Sequence, residues 1–300
     1  MNYLFFYCGE IPGYVHKVVN TILSVDKESS IYFLSDKNIK SKYTTHININ
    51  DFNILTEKME LIKDMYSETI SDYKISPLWA TSLLRIFAIE HISNELNLSE
   101  FVHFDTDVLI YKPFSEIKNS EHFKTNSLNI TFENSKLPIY GYSYVNNLEN
   151  LVKINKKIDE FINTFISMKP QINNNPYSEM KLLGWVNEQN SDLIRKLPSL
   201  PFESKNFLFD PVSYGMYLGG ADFNQKSYFF KKSFIDLRHD VGAEIKSKRI
   251  KVTLKNNLPY VIENGTHIPL VNLHIHSKKF DQFLPESYKE YMSEESFKTK

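Results

Sequence analysis

Apolar residues fall into short unbroken runs and helical stripes, and the first hundred positions alternate between the two. Tyr3-Leu4-Phe5-Phe6-Tyr7-Cys8 is a continuous apolar run closed by Gly9 and the Ile11-Pro12-Gly13 turn, the pattern of a buried strand. Val15, Val18, Val19, Ile22 and Leu23 then recur at helical spacing, which predicts a helix over residues 14–25. Ile31-Tyr32-Phe33-Leu34 reads as a second strand closed by Ser35-Asp36, and Thr45 to Ile49 as a third. Strand, helix and strand in so short a span make a βαβ unit and imply a parallel sheet. Pro77, a residue at home in a first helical turn, opens a helix through Leu83, Leu84, Ile86, Phe87, Ile89 and Ile92. That helix leads into the apolar run Phe101 to Ile110, broken only by Asp105 and Asp107.

The second half is less regular. Residues 147–168 place Leu148, Leu151, Val152, Ile158, Phe161, Ile162, Phe165 and Ile166 on one helix face. Residues 171–176 read as a loop, and 178–196 as helical again. Two aromatic-rich segments follow, at 206–218 and 227–236. Asn264-Gly265 is hairpin-turn chemistry, with a second arm running from Ile268 to His276. The tail after Pro285 is charged and expected to fray in part. No internal repeat is present. The expected organisation is one domain over 1–285, divided into halves 1–112 and 113–285, with a charged tail at 286–300.

A chain of 300 residues is ample for a large core. The net charge of −1 gives no bulk basic surface for nucleic acid and no polybasic block for an anionic membrane. Cys8 is the sole cysteine, so no intrachain disulfide forms and a reducing compartment is expected. The first ten residues lack the basic start and apolar length of a signal peptide. No stretch nears the roughly 20 apolar residues of a membrane span. The expected location is the cytoplasm.

The chemistry centres on Asp105-Thr106-Asp107. In an extended backbone, residues two apart share a side, so both carboxylates face together and Thr106 faces away. Two like charges at the end of a buried strand call for a cation between them, and a hard divalent ion such as Mg or Mn suits oxygen ligands. An ion with open positions suits a substrate that brings phosphates. The plain alternative is a solvated pair at a strand exit. His274 and His276 also share parity and join the acids as candidate ligands, with His276 favoured for its place nearer the strand end; Lys278 beyond them is suited to phosphate oxygens. The alternative there is one core and one surface histidine.

Arg85 sits among Leu83, Leu84, Ile86 and Phe87, where a lone arginine needs a partner: a phosphate, Asp105 or Asp107, or a structural acid. Gly219-Gly220 among aromatics lets backbone approach a flat ligand, and Asp222 beside it is a candidate base or hydroxyl acceptor, or else a cap of a tight bend. Asp240, after His239, is a second candidate base. Asp36 suits a nucleobase or ribose, or a turn, and Tyr7, Cys8 and Gly9 are placed to line a base pocket. Asp210 before Pro211 reads as a turn residue, and His103 as core. Gly9, Asp36, Asp105 and Asp107 all fall at carboxyl ends of predicted strands, where parallel sheets bind ligands.

Together these residues resemble the metal-dependent GT-A glycosyltransferases. Phe104-Asp105-Thr106-Asp107-Val108 is similar to their DxD motif. Leu273 to Lys278 resembles the late segment that completes metal and diphosphate binding, and Gly215 to Asp222 resembles a donor or acceptor loop of bacterial and viral surface-glycan transferases. The resemblance covers roughly 1–115 and 205–280. It implies an α/β fold with a Rossmann-like nucleotide-binding half, a mixed central sheet and a smaller acceptor half. It implies transfer of a sugar from a nucleotide-diphosphate sugar, most often UDP-linked, to a glycan or other hydroxyl acceptor. Mn or Mg would sit on Asp105, Asp107 and a histidine. In an inverting enzyme Asp222, or second Asp240, would act as base, and a retaining one would need none; Tyr7, Cys8, Gly9, Asp36, Arg85, Asp105, Thr106, Gly219, Gly220 and Lys278 would hold the donor. Two other readings compete. One is a haloacid-dehalogenase-like phosphatase with Asp105 as nucleophile, although its motif normally lies near the N-terminus. The other is a non-catalytic carbohydrate-binding protein on the same fold.

Overall fold

The computed structural model describes residues 1–69, 77–168, 178–222, 233–291 and 297–299. The first half runs β1 (Asn2–Tyr7), α1 (Val15–Val25), β2 (Ser30–Ser35), β3 (Ile39–Ser41), β4 (Thr45–Asn48), α2 (Asn53–Thr69), α3 (Pro77–Glu95), β5 (Phe101–Phe104) and β6 (Val108–Ile110). The second runs β7 (Leu128–Asn134), β8 (Leu137–Val145), α4 (Leu148–Met168), α5 (Glu179–Gln189), β9 (Ile194–Lys196) and α6 (Ser213–Gly215). It ends with α7 (Asp240–Lys246), β10 (Lys251–Lys255), β11 (Leu258–Glu263), β12 (Thr266–Pro269), β13 (Asn272–His274) and β14 (Phe297–Thr299).

Seven strands form the central sheet in the order β4-β2-β1-β5-β8-β7-β9. β4, β2, β1 and β5 are parallel, whereas β8 runs antiparallel to both β5 and β7. This is the expected α/β class, a Rossmann-like parallel half continued by a mixed half. Side chains alternate across the sheet as the pleat demands. Tyr3 and Phe5 enter one core with Phe33, Phe104 and the buried face of α1. Leu4 and Phe6 enter the other with Leu83, Ile86 and Leu151 from α3 and α4. The Phe5 and Phe104 rings meet edge-on at 4.9 Å. Burying each such ring contributes about 1.5–3 kcal/mol before entropy is charged.

Three expectations change. Phe101 to Ile110 is two strands, not one: β5 lies in the central sheet, while β6 pairs antiparallel with β13. Between them the Val108 amide donates to the Asp105 carbonyl at 3.0 Å, so Asp105-Thr106-Asp107 is a turn and strand parity does not aim its carboxylates. The helix expected over 178–196 stops at Gln189. The Asn190 amide closes it onto the Val186 carbonyl, and the chain returns as β9 beside β7. The long arm from Ile268 to His276 divides at Leu270-Val271, so His276 lies past the end of β13. The segment after Pro285 is ordered in part: a helical turn at Glu286–Tyr291 buries Tyr288, and β14 pairs with β3. The loop expected at 171–176 and most of the segment 227–236 lie outside the described residues. No helix among the described residues is long and apolar enough to cross a membrane.

Candidate functional site

A cleft of about 680 Å³ opens at the carboxyl ends of β1 and β5. Phe6, Tyr7, Cys8 and Tyr14 wall one side, α3 supplies Leu78 to Arg85, and Ser178, Glu179 and Met180 come from the start of α5. Asp105 to Asp107, Asp222, His274, His276 and Lys278 line the floor.

The floor holds one convergent cluster. Asp107, His274 and His276 each offer a ligand atom, and those atoms lie within 4.8 Å of one another. Backbone pairing explains the convergence. β13 runs antiparallel to β6 with His274 opposite Val108, and the Ile275 amide donates to the Asp107 carbonyl at 2.8 Å. His274 Nε2 stands 2.9 Å from Asp107 Oδ1, and Lys278 Nζ stands 2.8 Å from Oδ2. Burial alone would raise the Asp107 carboxyl, but the His274 ring and the Lys278 ammonium outweigh it and hold it well below the usual carboxylate range. Burial, with His274 adding to it, pushes His276 down to about 3, so its imidazole is neutral at ordinary pH. Neutral imidazole and ionised carboxylate are the forms that ligate metals. The donor set, one carboxylate and two imidazoles, therefore fits a divalent metal ion.

Asp105 is held differently. Arg85 gives one guanidinium nitrogen to the Asp105 carboxylate and another to Glu179 Oε2 at 2.6 Å. Burial raises the Glu179 carboxyl and Arg85 opposes that rise. The guanidinium also lies 5.5 Å above the Tyr140 ring, whose other neighbour is the stacked ring of His103. Gly141 permits this crowding: a Cβ there would stand 3.2 Å from both Asp105 Oδ2 and His274 Cε1.

Beneath His274 lies Asp210, 1% exposed. Its Oδ1 accepts from the amides of Val212 and Tyr214, and its Oδ2 from those of Gly215 and His274, at 2.8–3.0 Å. It is more than the turn residue expected. It supplies the outer edge of β13 with an acceptor, as a neighbouring strand would. Gly219 takes φ +102, which favours glycine, and the Gly220 carbonyl accepts from the Ser277 amide at 2.8 Å. The Gly-Gly turn thus braces the segment between His276 and Lys278.

The other predicted residues divide. Asp222 is exposed on the cleft and faces His276 electrostatically. Asp36 accepts from the Gly9 amide at 2.7 Å, which ties the ends of β1 and β2; neither residue lines the cleft. Burial pushes the Cys8 thiol up to about 12, consistent with a packed wall residue. Asp240 does not line the cleft: it starts α7 and faces Lys196 at 3.9 Å. Sequence reasoning missed Glu179, Gly141 and Trp79. Gly141 had a signal, an isolated glycine within a strand pattern, which often marks close backbone approach. Glu179 had a fainter one, an acid directly after a capping Ser178.

No family model matches the chain, and no curated protein matches it. Among solved structures, the chain is similar to galactosyltransferase LgtC in complex with donor and acceptor sugar analogues, at 12% identity and a TM-score of 0.49 over 97% of this chain and 94% of that one. It is similar to mouse xyloside xylosyltransferase 1 at 9% identity and a TM-score of 0.44, over 70% and 88% of the two chains. It is also similar to the glycosyltransferase GlyE of Streptococcus pneumoniae at 11% and 0.39, over 65% and 44%. At these values the likenesses say nothing of what this chain acts on.

Proposed function

We propose that the chain is a GT-A-type glycosyltransferase that moves a sugar from a nucleotide-diphosphate sugar to a hydroxyl acceptor. The observation that carries this reading is the convergence of Asp107, His274 and His276 with Lys278 at the carboxyl ends of parallel strands. Cation ligands beside a flexible ammonium suit a diphosphate. A dication bound there supplies Lewis-acid stabilisation to the leaving group. Lys278 offsets charge on the departing phosphate oxygens. Arg85, paired with Asp105 and Glu179, contributes a fixed charged wall to the cleft. Tyr7 and Cys8 line the end of β1, where a nucleobase fits. For an inverting transfer, Asp222 is the base that takes the acceptor proton. UDP is the favoured nucleotide and Mn the favoured ion, on the motif resemblance alone. The division of labour follows the halves 1–112 and 113–285, which the pairing of β6 with β13 joins.

The phosphatase reading needs the Asp105 carboxylate free to attack phosphorus, and Arg85 binds that carboxylate. A thermal-shift panel tests the transferase reading. UDP, GDP, CDP and their sugars are added with and without Mn²⁺ to wild type and Asp107→Ala. The expected result is an Mn²⁺-dependent rise with one nucleotide, absent in Asp107→Ala. Ligand at about 100 times its Kd stabilises by roughly 2.7 kcal/mol, several degrees for a chain this size. No rise with any nucleotide overturns the reading.

A further inference from the structure

Asp107 is contested by two kinds of cation. Its Oδ2 holds the Lys278 ammonium at 2.8 Å, while its Oδ1 faces His274 Nε2 at 2.9 Å, and His276 offers a third ligand atom within 4.8 Å of the other two. A dication bound to Asp107 would therefore share its carboxylate with the Lys278 ammonium. At that range, in a site only 12% exposed at the aspartate side chain, like charges repel strongly and solvent screens little.

The chain fixes Lys278 in this position. Its backbone is left-handed, with φ +55, a conformation lysine takes only where its surroundings impose it. Two bonds impose it: the Lys278 amide donates to the Ile275 carbonyl at 3.0 Å, and the preceding Ser277 amide donates to Gly220 at 2.8 Å. The side chain remains 39% exposed, so its head is free to swing toward a ligand in the cleft.

Resting on the transferase reading, we propose that Lys278 gates the cation site: its ammonium competes with the divalent ion for Asp107 until a diphosphate in the cleft draws it away. The chain then takes its ion together with a nucleoside diphosphate and holds the free ion weakly. A diphosphate offers the ammonium two or more negative oxygens in exchange for one shared carboxylate. Release of Oδ2 both frees Asp107 and removes the repulsion. Ion and diphosphate thus bind cooperatively through one side chain, and the coupling is reciprocal.

The test is an Mn²⁺ titration of the full chain, with free Mn²⁺ read by electron paramagnetic resonance, alone and with saturating UDP, GDP or CDP. The variants are Lys278→Met, which keeps length and loses charge, and Asp107→Asn. For Mn²⁺ alone, Lys278→Met is expected to bind about fivefold or more tighter than wild type. The nucleotide-induced gain in Mn²⁺ affinity, large in wild type, is expected to shrink by a similar factor in Lys278→Met. If Lys278→Met binds Mn²⁺ no tighter than wild type while Asp107→Asn loses it, the gate is overturned and the cation site stands. If neither wild type nor Lys278→Met binds Mn²⁺ with or without nucleotide, the gate and the transferase reading fall together.

Discussion

The Cα of Gly215 packs against the backbone carbonyl of His274 so closely that no Cβ fits between them. The contact joins the short helix α6 to the strand that carries His274. Gly215→Ala must push α6 and β13 apart, because the obstacle is backbone and cannot rotate aside. Overpacking of this kind costs about 1–3 kcal/mol. The expected result is a Tm lower by several degrees together with weaker Mn²⁺ binding, since His274 moves with its strand. Calorimetry and an Mn²⁺ titration on the same sample check both. An unchanged Mn²⁺ affinity would show that the strand does not depend on this contact.

Asp210→Asn tests the other support of His274. Each carboxylate oxygen accepts two amides, Val212 and Tyr214 on one side, Gly215 and His274 on the other. An amide side chain keeps one acceptor oxygen and turns a donor toward the remaining pair. Leaving buried donors unpaired costs about 1–3 kcal/mol. Chemical denaturation is expected to show a loss in that range, with Mn²⁺ affinity falling in step. Asp210→Asn with wild-type stability would refute the account of a carboxylate that replaces a strand edge.

How far the sequence discloses this site depends on whether a residue acts through its neighbours in the chain or across space. β1, α1 and β2 were legible because each is an uninterrupted apolar pattern of one period, and Asp105, Asp107, His274 and Lys278 because charged residues stand out against such patterns. Their distribution was legible only in part, since Asp105 stood among the candidate partners of Arg85 without being singled out. Strand parity paired Asp105 with Asp107, whereas a turn hands Asp105 to Arg85 and Asp107 to His274 and Lys278. Glu179 lies 94 positions from Arg85, so nothing local marks it as the partner. Asp210 looked like turn chemistry beside Pro211 because three of its four amides are local; the fourth, from His274, comes from 64 positions away. The β7–β8 hairpin went unread although Leu128, Ile130 and Phe132 alternate with Asn129, Thr131 and Glu133 along β7; its partner β8 is buried along most of its length and is less regular.

Arg85 is a cation between two carboxylates, and its removal leaves Glu179 unneutralised in a nearly closed space and Asp105 in a partly open one. Its side chain is 11% exposed and that of Glu179 5%. Breaking a buried pair by deleting one partner typically costs about 3–5 kcal/mol. Arg85→Met is therefore expected to lower Tm by several degrees or more. Adding Glu179→Gln should restore part of that loss, because it removes one of the stranded charges, although the same substitution alone destabilises the wild type. A double-mutant cycle reads the sign directly. Purely additive losses would mean that Arg85 and Glu179 do not depend on each other.

His103 gives the fold a pH dependence apart from the cleft chemistry. The ring is wholly buried, its Nδ1–H donates to the Leu4 carbonyl at 2.8 Å, and it stacks on Tyr140 beside Arg85. Burial, with the Arg85 charge added, holds its pKa well below the ordinary value, so the folded ring stays neutral where a free histidine is charged. The unfolded chain takes up that proton near pH 6.5. A depressed folded pKa means the contribution to stability is complete above that value and is lost as pH falls below it. The limiting slope is about 1.4 kcal/mol per pH unit for one proton. His103→Leu has no ring to protonate in either state, so its stability should fall less steeply between pH 6.5 and 4.5. At pH 7.5 the same variant should be the less stable of the two by about 1 kcal/mol, because the Leu4 carbonyl loses its donor. Urea midpoints at four pH values would show the two curves converging as pH falls; parallel curves would mean that His103 titrates alike in the folded and unfolded chain.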